Sequence, residues 1–463
     1  MFLYLAIAEF IAFVASVFVS AYARNYVVGD LAGWPELWNL ERITGPLLPN
    51  ALVFGGIMLL TMGSMGLYGS GYFRLDKGGY LLRVFSAHIF GTLLFTFLVY
   101  AIPALYLGRG LLLLSILISF LLILLVRRIF LLFIDSDALQ RRVLVYGAGA
   151  RAKSIEAMEN GFDKRGIRLC GFIRVNNEPV EVSSTHVVDN FEPIPDLARR
   201  FQVDEIVVAA DDRRNSLLLD ELLECRLGGI EVTDIAQFFE RESGKLRLDV
   251  MSPSTLIFSR GFDQNRLGSV LERVFDIVGS LGLLAIASPV MLITAIAIKL
   301  EDGLHAPVIY RQTRIGKEDR PFSVLKFRSM REDAEAHTGA TWAVDGDDRV
   351  TRVGAVIRKL RIDELPQTIN VLKGDMSFVG PRPERPEFVR ELVRKLPYYS
   401  ERHRVKPGIT GWAQLNYPYG ASDRDALEKL QYDMYYAKNH SLLLDLFILL
   451  QTVEVVIFGK GAR

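Results

Sequence analysis

Cysteine is almost missing from this chain. Cys170 and Cys225 are the only two in 463 residues, they are far apart, and no CxxC occurs. A disulfide framework and a cysteine zinc site are thereby excluded, and both residues read as reduced thiols. Histidine is scarce too. His88, His186, His305, His337, His403 and His440 show no HxxxH or HExxH spacing, so each reads as structural or solvated rather than as a metal ligand. An excess of either charge is also lacking. Lys plus Arg total 54 against 53 for Asp plus Glu, a net +1, so no global field draws the chain to nucleic acid and no nucleic-acid partner is expected.

What the chain has in quantity is apolar sequence. Half of its residues are hydrophobic and the mean hydropathy is +0.24, high for a soluble protein. Four apolar runs, roughly 1–22, 51–68, 84–106 and 111–134, come near the ~20 residues that cross a bilayer. The first has neither a basic n-region nor an A-x-A cleavage site and reads as an anchor. Arg74, Lys77 and Arg83 follow the second run, and Arg127, Arg128, Arg141 and Arg142 follow the fourth. The 24–50 loop balances its charges and the 107–110 turn has only Arg109, so both ends of the bundle are expected on the cytoplasmic side. Glu9 and His88 fall within or beside these runs and are expected to serve helix packing, since nothing nearby in sequence completes a site.

From about residue 140 the composition turns soluble. Arg142 to Tyr146 and Glu205 to Ala210 read as buried strands, and Gly147-Ala148-Gly149-Ala150-Arg151-Ala152 reads as the turn that opens a helix. This is a Rossmann-type pattern with Ala152 in the third glycine position. The acid expected about 20 residues on is missing, for the second strand ends at Phe172-Ile173-Arg174. A bound nucleotide and a purely structural or regulatory domain both remain open.

Val274 to Leu300 is another apolar stretch, interrupted at Ser288-Pro289. Arg260, Arg266 and Arg273 precede it, and Lys299, Arg311, Arg314 and Lys317 follow, which favours both ends on one side of the membrane. Proline removes a helical hydrogen bond, and Ser288 can satisfy a freed carbonyl at membrane depth. The expectation is a re-entrant helix–break–helix with its break at Ser288 and Pro289. A Pro-kinked spanning helix is the alternative.

The densest chemistry lies from Leu360 to Pro383, LRIDELPQTINVLKGDMSFVGPRP. Asp363 and Glu364 are adjacent carboxylates with Arg352, Arg358, Lys359 and Arg361 before them and Arg382 after, between two prolines. Acids of this kind hold a divalent cation or attack phosphorus, and guanidinium groups fit phosphoryl oxygens. Asp363 is placed at the start of a helix running from Glu364 to Lys373, with Pro366 in its first turn and Gly374 past its end. On residues alone, the plain reading that Asp363 only caps that helix stays open.

This segment resembles the DELPQ…NVLKGDMS.VGPRP signature of the bacterial sugar transferases, the polyprenyl-phosphate glycosyl-1-phosphate transferases that start exopolysaccharide and O-antigen synthesis. Many relatives have Ser two residues ahead of the Asp where this chain has Arg361, a departure that bears on substrate preference. Further blocks carry the same resemblance. Arg273, Phe275, Asp276, Ser288 and Pro289 match the RxFD and Ser-Pro of the membrane helix. A basic strand pair from Pro307 to Gly316 and through Lys326-Phe327-Arg328-Ser329-Met330 resembles the block that lines the site or the membrane face. Lys406 to Gln414 matches KPGITGWAQ, whose glycines let backbone approach a ligand. Leu415 to Gly420 departs from the commoner VNGR and looks like the exosortase-associated subgroup, and Lys429, Tyr432, Asp433, Tyr435 and Tyr436 match a late helix. Glu332 to Ala336 reads as the start of a solvated acidic helix, and Leu442 to Phe458 as a packed or interfacial helix.

The resemblance implies transfer of a sugar-1-phosphate from a UDP-sugar to undecaprenyl phosphate with release of UMP. It implies Asp363 as nucleophile, Asp363 and Glu364 as holders of Mg2+, and Arg358, Arg382, Lys326 and Arg328 as phosphate or substrate contacts. The expected architecture is a membrane α-helical bundle over 1–135, an α/β Rossmann-like domain over 136–262 and an α+β monotopic phosphoglycosyltransferase domain over 268–463, with the re-entrant helix at 270–300. The bacterial inner membrane, with the catalytic domain on the cytoplasmic face, is the expected location. A homodimer and other polysaccharide-assembly proteins are further expected partners. Two alternatives stand beside this. A non-catalytic membrane scaffold would lack the acid–arginine set, and a nucleotide-sugar dehydratase would need a Tyr-x-x-x-Lys dyad that the chain does not contain.

Overall fold

The computed structural model describes residues 2–27, 47–65, 67–68, 77–134, 140–159, 167–175, 178–183, 187–188, 192–211, 218–249, 251, 261–262, 266–331, 349–417, 420 and 422–458. Arg74, the charged residues of the 24–50 loop beyond Arg24, Arg260 and the Glu332–Ala336 segment lie outside the described residues. The chain divides into two compact units, Met1–Phe238 and Phe239–Arg463.

The first unit opens with α1 (Phe2–Val27), α2 (Leu47–Ser64), α3 (Lys77–Ala101) and α4 (Arg109–Ile134). Helix α1 packs on α2 and α4, and α2 packs on α3. Sequence periodicity explains how α4 sits. Leu111, Ser115, Ser119, Ile123 and Arg127, four residues apart, are buried, while Leu113, Leu117, Leu121 and Leu125 on another face are exposed. An exposed leucine stripe of that length needs an apolar solvent, and small serines let helices approach closely. By length and composition α1, α3 and α4 can each cross a membrane, and α2 is slightly shorter. The bundle core holds Phe13, Phe54, Met58 and Phe95.

Arg127 does not behave as the flanking cation that its place at the end of an apolar run suggests. Its side chain is fully buried and pairs with the equally buried Glu9, its Nη2 standing 3.0 Å from Oε2. The Tyr68 hydroxyl donates to the same Oε2. Glu9 thus has partners that the sequence, with the two residues 118 positions apart, did not reveal. Breaking such a pair leaves an uncompensated buried charge, at a cost of about 3–5 kcal/mol.

The same unit continues with a parallel sheet. Its strands are β1 (Arg141–Tyr146), β2 (Ile167–Ile173), β3 (Val187–Val188), β4 (Glu205–Val208) and β5 (Glu231–Asp234), in the order β3-β2-β1-β4-β5. Helices α5 (Ala150–Glu159), α6 (Ile194–Phe201) and α7 (Leu219–Leu227) connect them. Strands β1 and β4 match the two buried runs expected from the sequence, with β4 ending two residues early, and β2 ends at Ile173, where the second strand was expected to end. Their apolar side chains, Leu144, Tyr146, Ile206 and Val208, form one core with Leu197 and Leu222.

The second unit gathers residues from Phe239 onward, including the end of α8 (Ile235–Ser243). Lys245 bonds Glu428 at 2.6 Å and Lys438 bonds Glu240 at 2.7 Å, so the stretch after Phe239 is part of this body. Helix α9 (Arg266–Asp302) is one element of 37 residues with Pro289 inside it, so the expected break at Ser288 and Pro289 does not interrupt the helix. Pro289 has no N–H for the Ala285 carbonyl, and Ser288 Oγ supplies that bond at 2.9 Å. Both ends of α9 are fastened to the same body. Near its start Arg273 donates to the carbonyls of Val371 and Leu372 at 2.8 and 2.7 Å, and Asp276 accepts from Ser377 Oγ at 3.0 Å. At its end Glu301 accepts from the backbone N–H groups of Arg352 and Val353, and Asp302 pairs with Arg328. Between these anchors Leu281, Ile286, Leu292 and Ile293 are exposed.

Beyond α9 come the antiparallel hairpin β6 (Ile309–Ile315) and β7 (Pro321–Phe327), helix α10 (Arg352–Lys359), helix α11 (Gln367–Lys373) and the parallel pair β8 (Ser377–Val379) and β9 (Gly408–Thr410). Helices α12 (Pro386–Lys395), α13 (Trp412–Asn416), α14 (Asp423–Asn439) and α15 (Leu442–Phe458) complete the unit. Helix α14 starts in a capping box of Ser422 and Asp425.

Candidate active site

Asp363 and Glu364 lie in a short 3-10 turn, Ile362–Glu364, entered through Arg361 at φ 57°. The helix expected from Glu364 begins three residues later. Backbone bonds from Leu365 to Ile362 and from Thr368 to Leu365 keep a tight i→i+3 path until Gln367, and Pro366 holds the N-cap position. Gly374 ends the helix at φ 95°, as expected. Asp363 therefore does not cap α11, and the plain structural reading of this acid fails on geometry.

The two carboxylates are treated oppositely. Glu364 Oε1 receives Lys326 Nζ at 2.8 Å and Arg382 Nη2 at 3.2 Å. Burial pushes its acidity down, but the Arg382 and Lys326 charges outweigh burial and hold the carboxyl well below the usual glutamate range. Asp363 is 9% exposed, and its Oδ1 is buried with no hydrogen-bond partner among the described residues. Burial and the neighbouring Glu364 charge raise its pKa, with Lys326, Arg361 and Arg358 opposing. Burial likewise pulls the Lys326 ammonium down, against Glu364.

Both cations on Glu364 are held from behind. Lys326 stands on β7, and the Asn370 side chain of α11 clasps that strand, donating to Ser323 O at 2.8 Å and accepting from Leu325 N at 3.0 Å. Arg382 is fixed through its carbonyl, which accepts from Arg402 Nη2 at 2.9 Å. Arg402 is itself buried against Asp433 at 2.7 Å and the Tyr399 hydroxyl at 2.7 Å. Arg314 donates to the next carbonyl, Pro383 O, at 3.2 Å.

The structure therefore brings together Asp363, Glu364, Lys326 and Arg382, with Arg358 in the last turn of α10 within electrostatic reach of Asp363. Arg328 is placed differently: it is buried and paired with Asp302 at the end of α9. The glycines of the KPGITG stretch have a packing role. A Cβ on Gly408 would stand 2.1 Å from Gly380 N and one on Gly411 2.2 Å from Gly380 O, so they serve the close backbone approach around β8 and β9. Trp412 packs inward, donating to Gly244 O at 2.7 Å and stacking on Tyr435. Sequence reading missed Asn370 and Arg402. Asn370 is a polar residue inside the apolar run Ile369–Leu372, a signal that was there to read. Arg402 lies among exposed-looking charges and carries no such signal.

Residues 267–459 match the bacterial sugar transferase family, and residues 64–224 match a family described as a CoA-binding domain. The chain is 46% identical over 250 residues to a UDP-N-acetylgalactosamine-undecaprenyl-phosphate N-acetylgalactosaminephosphotransferase of Aeromonas hydrophila, covering 52% of this chain and 56% of that protein. It is 35% identical over 280 residues to the UDP-glucose:undecaprenyl-phosphate glucose-1-phosphate transferase of Escherichia coli K12, covering 59% of each. The chain thus spans little more than half the length of these two relatives. An exopolysaccharide production protein of Rhizobium leguminosarum bv. phaseoli is 42% identical over 201 residues, which take in 42% of this chain and 98% of that protein. With the acid–cation set in place and such a relative covered almost end to end, the chain belongs to the bacterial sugar transferase family.

Proposed function

We propose that the protein moves a sugar-1-phosphate from a UDP-sugar to undecaprenyl phosphate and releases UMP. The observation that carries this reading is the paired treatment of the two acids: Glu364 locked between Lys326 and Arg382, beside the buried and unpartnered oxygen of Asp363. The printed activities of the curated relatives support the same reading.

In the proposed sequence the Asp363 carboxylate attacks the sugar-bearing phosphorus of the donor. The bond from that phosphorus to the bridging oxygen breaks, and UMP leaves with the electron pair. A phosphate oxygen of undecaprenyl phosphate then attacks the same phosphorus, expels the Asp363 carboxylate and forms a lipid-linked diphosphosugar. Burial leaves the Asp363 carboxylate poorly solvated and more basic, which suits a nucleophile. Arg382 and Arg358 supply positive charge where the transferring phosphoryl group would lie. Asp363, whose Oδ1 has no hydrogen-bond partner among the described residues, and Glu364 would hold Mg2+, which takes one or two carboxylates together with substrate phosphates. Bound there, it would neutralise diphosphate charge.

The reading includes a re-entrant α9 in the inner membrane with the catalytic unit on the cytoplasmic side, where UDP-sugars are. Support comes from the anchoring of Arg273 and Asp276 at one end and Glu301 and Asp302 at the other to one folded body, with an exposed apolar middle between them. A homodimer and contact with other polysaccharide-assembly proteins belong to the same reading. The test is UMP release by the purified chain with a panel of UDP-sugars and undecaprenyl phosphate. Asp363→Asn is expected to lower turnover by at least about a thousandfold, and Glu364→Gln by about a hundredfold. Full activity in Asp363→Asn ends the assignment, and no activity in the wild type with any UDP-sugar favours a non-catalytic scaffold.

A further inference from the structure

The glycine loop after β1 is the place where a Rossmann-type sheet receives a pyrophosphate: the second glycine admits the phosphates, and free N–H groups of the following helix bind them. Here each of those features is already used by the protein itself. Gly147, at φ 131°, is pressed on the backbone that follows β4, and a Cβ there would stand 2.7 Å from Ala209 O. Gly149 faces Asp211, and a Cβ there would stand 2.1 Å from its Oδ2. The two N–H groups that would meet a phosphate both donate to this carboxylate, Ala150 to Oδ2 at 2.9 Å and Arg151 to Oδ1 at 3.0 Å. Arg151 Nη1 bonds Ala210 O at 3.2 Å and so braces the segment that presents Asp211. A second acid stands close by: Glu178 Oε1 accepts from Asp211 N at 2.7 Å. The strand β2, which would carry an acid for a ribose, runs into Ile173 and Arg174 instead.

We propose that the middle domain takes no CoA or other nucleoside diphosphate at this loop, because the Asp211 carboxylate occupies the phosphate position as a built-in anion. The glycines are then explained by the protein's own close packing, and the helix N-terminus has its negative partner without a ligand. An incoming pyrophosphate would have to displace a bidentate carboxylate and approach Glu178 as well, with like charges at contact distance. The residues present do not fit the group that the domain's family description names, and no step of the proposed transfer needs it.

The experiment is amide hydrogen exchange on the purified full chain, followed at the 147–153 peptide, with CoA and with inorganic pyrophosphate as probes. Reading this peptide separates the loop from any binding of the same anions in the C-terminal unit. In the wild type neither probe is expected to change its exchange. In Asp211→Ala the amides of Ala150 and Arg151 are expected to exchange at least about tenfold faster, with millimolar pyrophosphate slowing them again. Asp211→Asn keeps an acceptor oxygen without the charge and serves if Asp211→Ala does not fold, with a smaller acceleration and the same slowing by pyrophosphate. Protection of the wild-type peptide by CoA or pyrophosphate overturns the proposal. So does a folded Asp211 variant whose peptide is not protected by pyrophosphate.

Discussion

Glu364 and Asp363 are neighbours in the chain with opposite environments, and that contrast is set by residues far away in sequence. Lys326 and Arg382 reach the same Glu364 oxygen from separate elements. The acid pair and both cations were legible from the sequence because all four lie in dense motifs. Their supports were not legible, since Arg402 acts on Arg382 across 20 positions and on Asp433 across a further helix. A nearby residue gives a pH test. His403 is buried next to Arg402, bonds Asp319 at 2.6 Å, and burial lowers its pKa to about 4. The unfolded chain takes up this proton near pH 6.5, while the folded chain refuses it until about pH 4. Stability is therefore lost as pH falls through that window. Between pH 7.5 and 5 the wild-type melting temperature is expected to fall, relative to His403→Gln, by roughly 3–8 °C. Parallel melting curves for the two proteins contradict this.

At the scale of elements, the clasp between α11 and β7 is the contact that sets Lys326 against Glu364. Asn370→Ala leaves the Ser323 carbonyl and the Leu325 N–H without their partner, a loss of about 1–3 kcal/mol. UMP release is expected to fall at least about tenfold through misplacement of Lys326, and a well-folded variant with full activity removes this role. Element types were read more securely than element edges. Strands β1 and β4 announced themselves as apolar runs, whereas the start of α11 was misplaced because Arg361 turns the chain left-handed, a conformation that an arginine does not advertise. Arg127 was misread for a related reason. A cation at the end of an apolar helix looks like an interfacial flank unless its partner, here Glu9 on α1, is known to lie beside it.

At the scale of the whole molecule, composition suggests three domains, while the chain clusters into two compact units whose seam falls at Phe238–Phe239, inside a stretch of ordinary soluble sequence. Apolar content marks membrane segments and cannot mark a boundary between two water-facing regions. The topology of α9 makes its own prediction. With Cys170 and Cys225 replaced, single cysteines at Val270 and Leu304, both exposed positions flanking the apolar stretch, are expected to react with an impermeant maleimide from the cytoplasmic side only. Labelling from opposite sides makes α9 a crossing helix and puts the acid pair away from UDP-sugars.

The most direct measurement is mass analysis of the purified protein after rapid mixing with a labelled UDP-sugar and no lipid acceptor. The expected result is a stoichiometric release of UMP together with a sugar-phosphate mass on the peptide that contains Asp363, discharged when undecaprenyl phosphate is added. UMP released only in the presence of undecaprenyl phosphate, with no modified peptide at any time, contradicts a transfer that passes through this carboxylate.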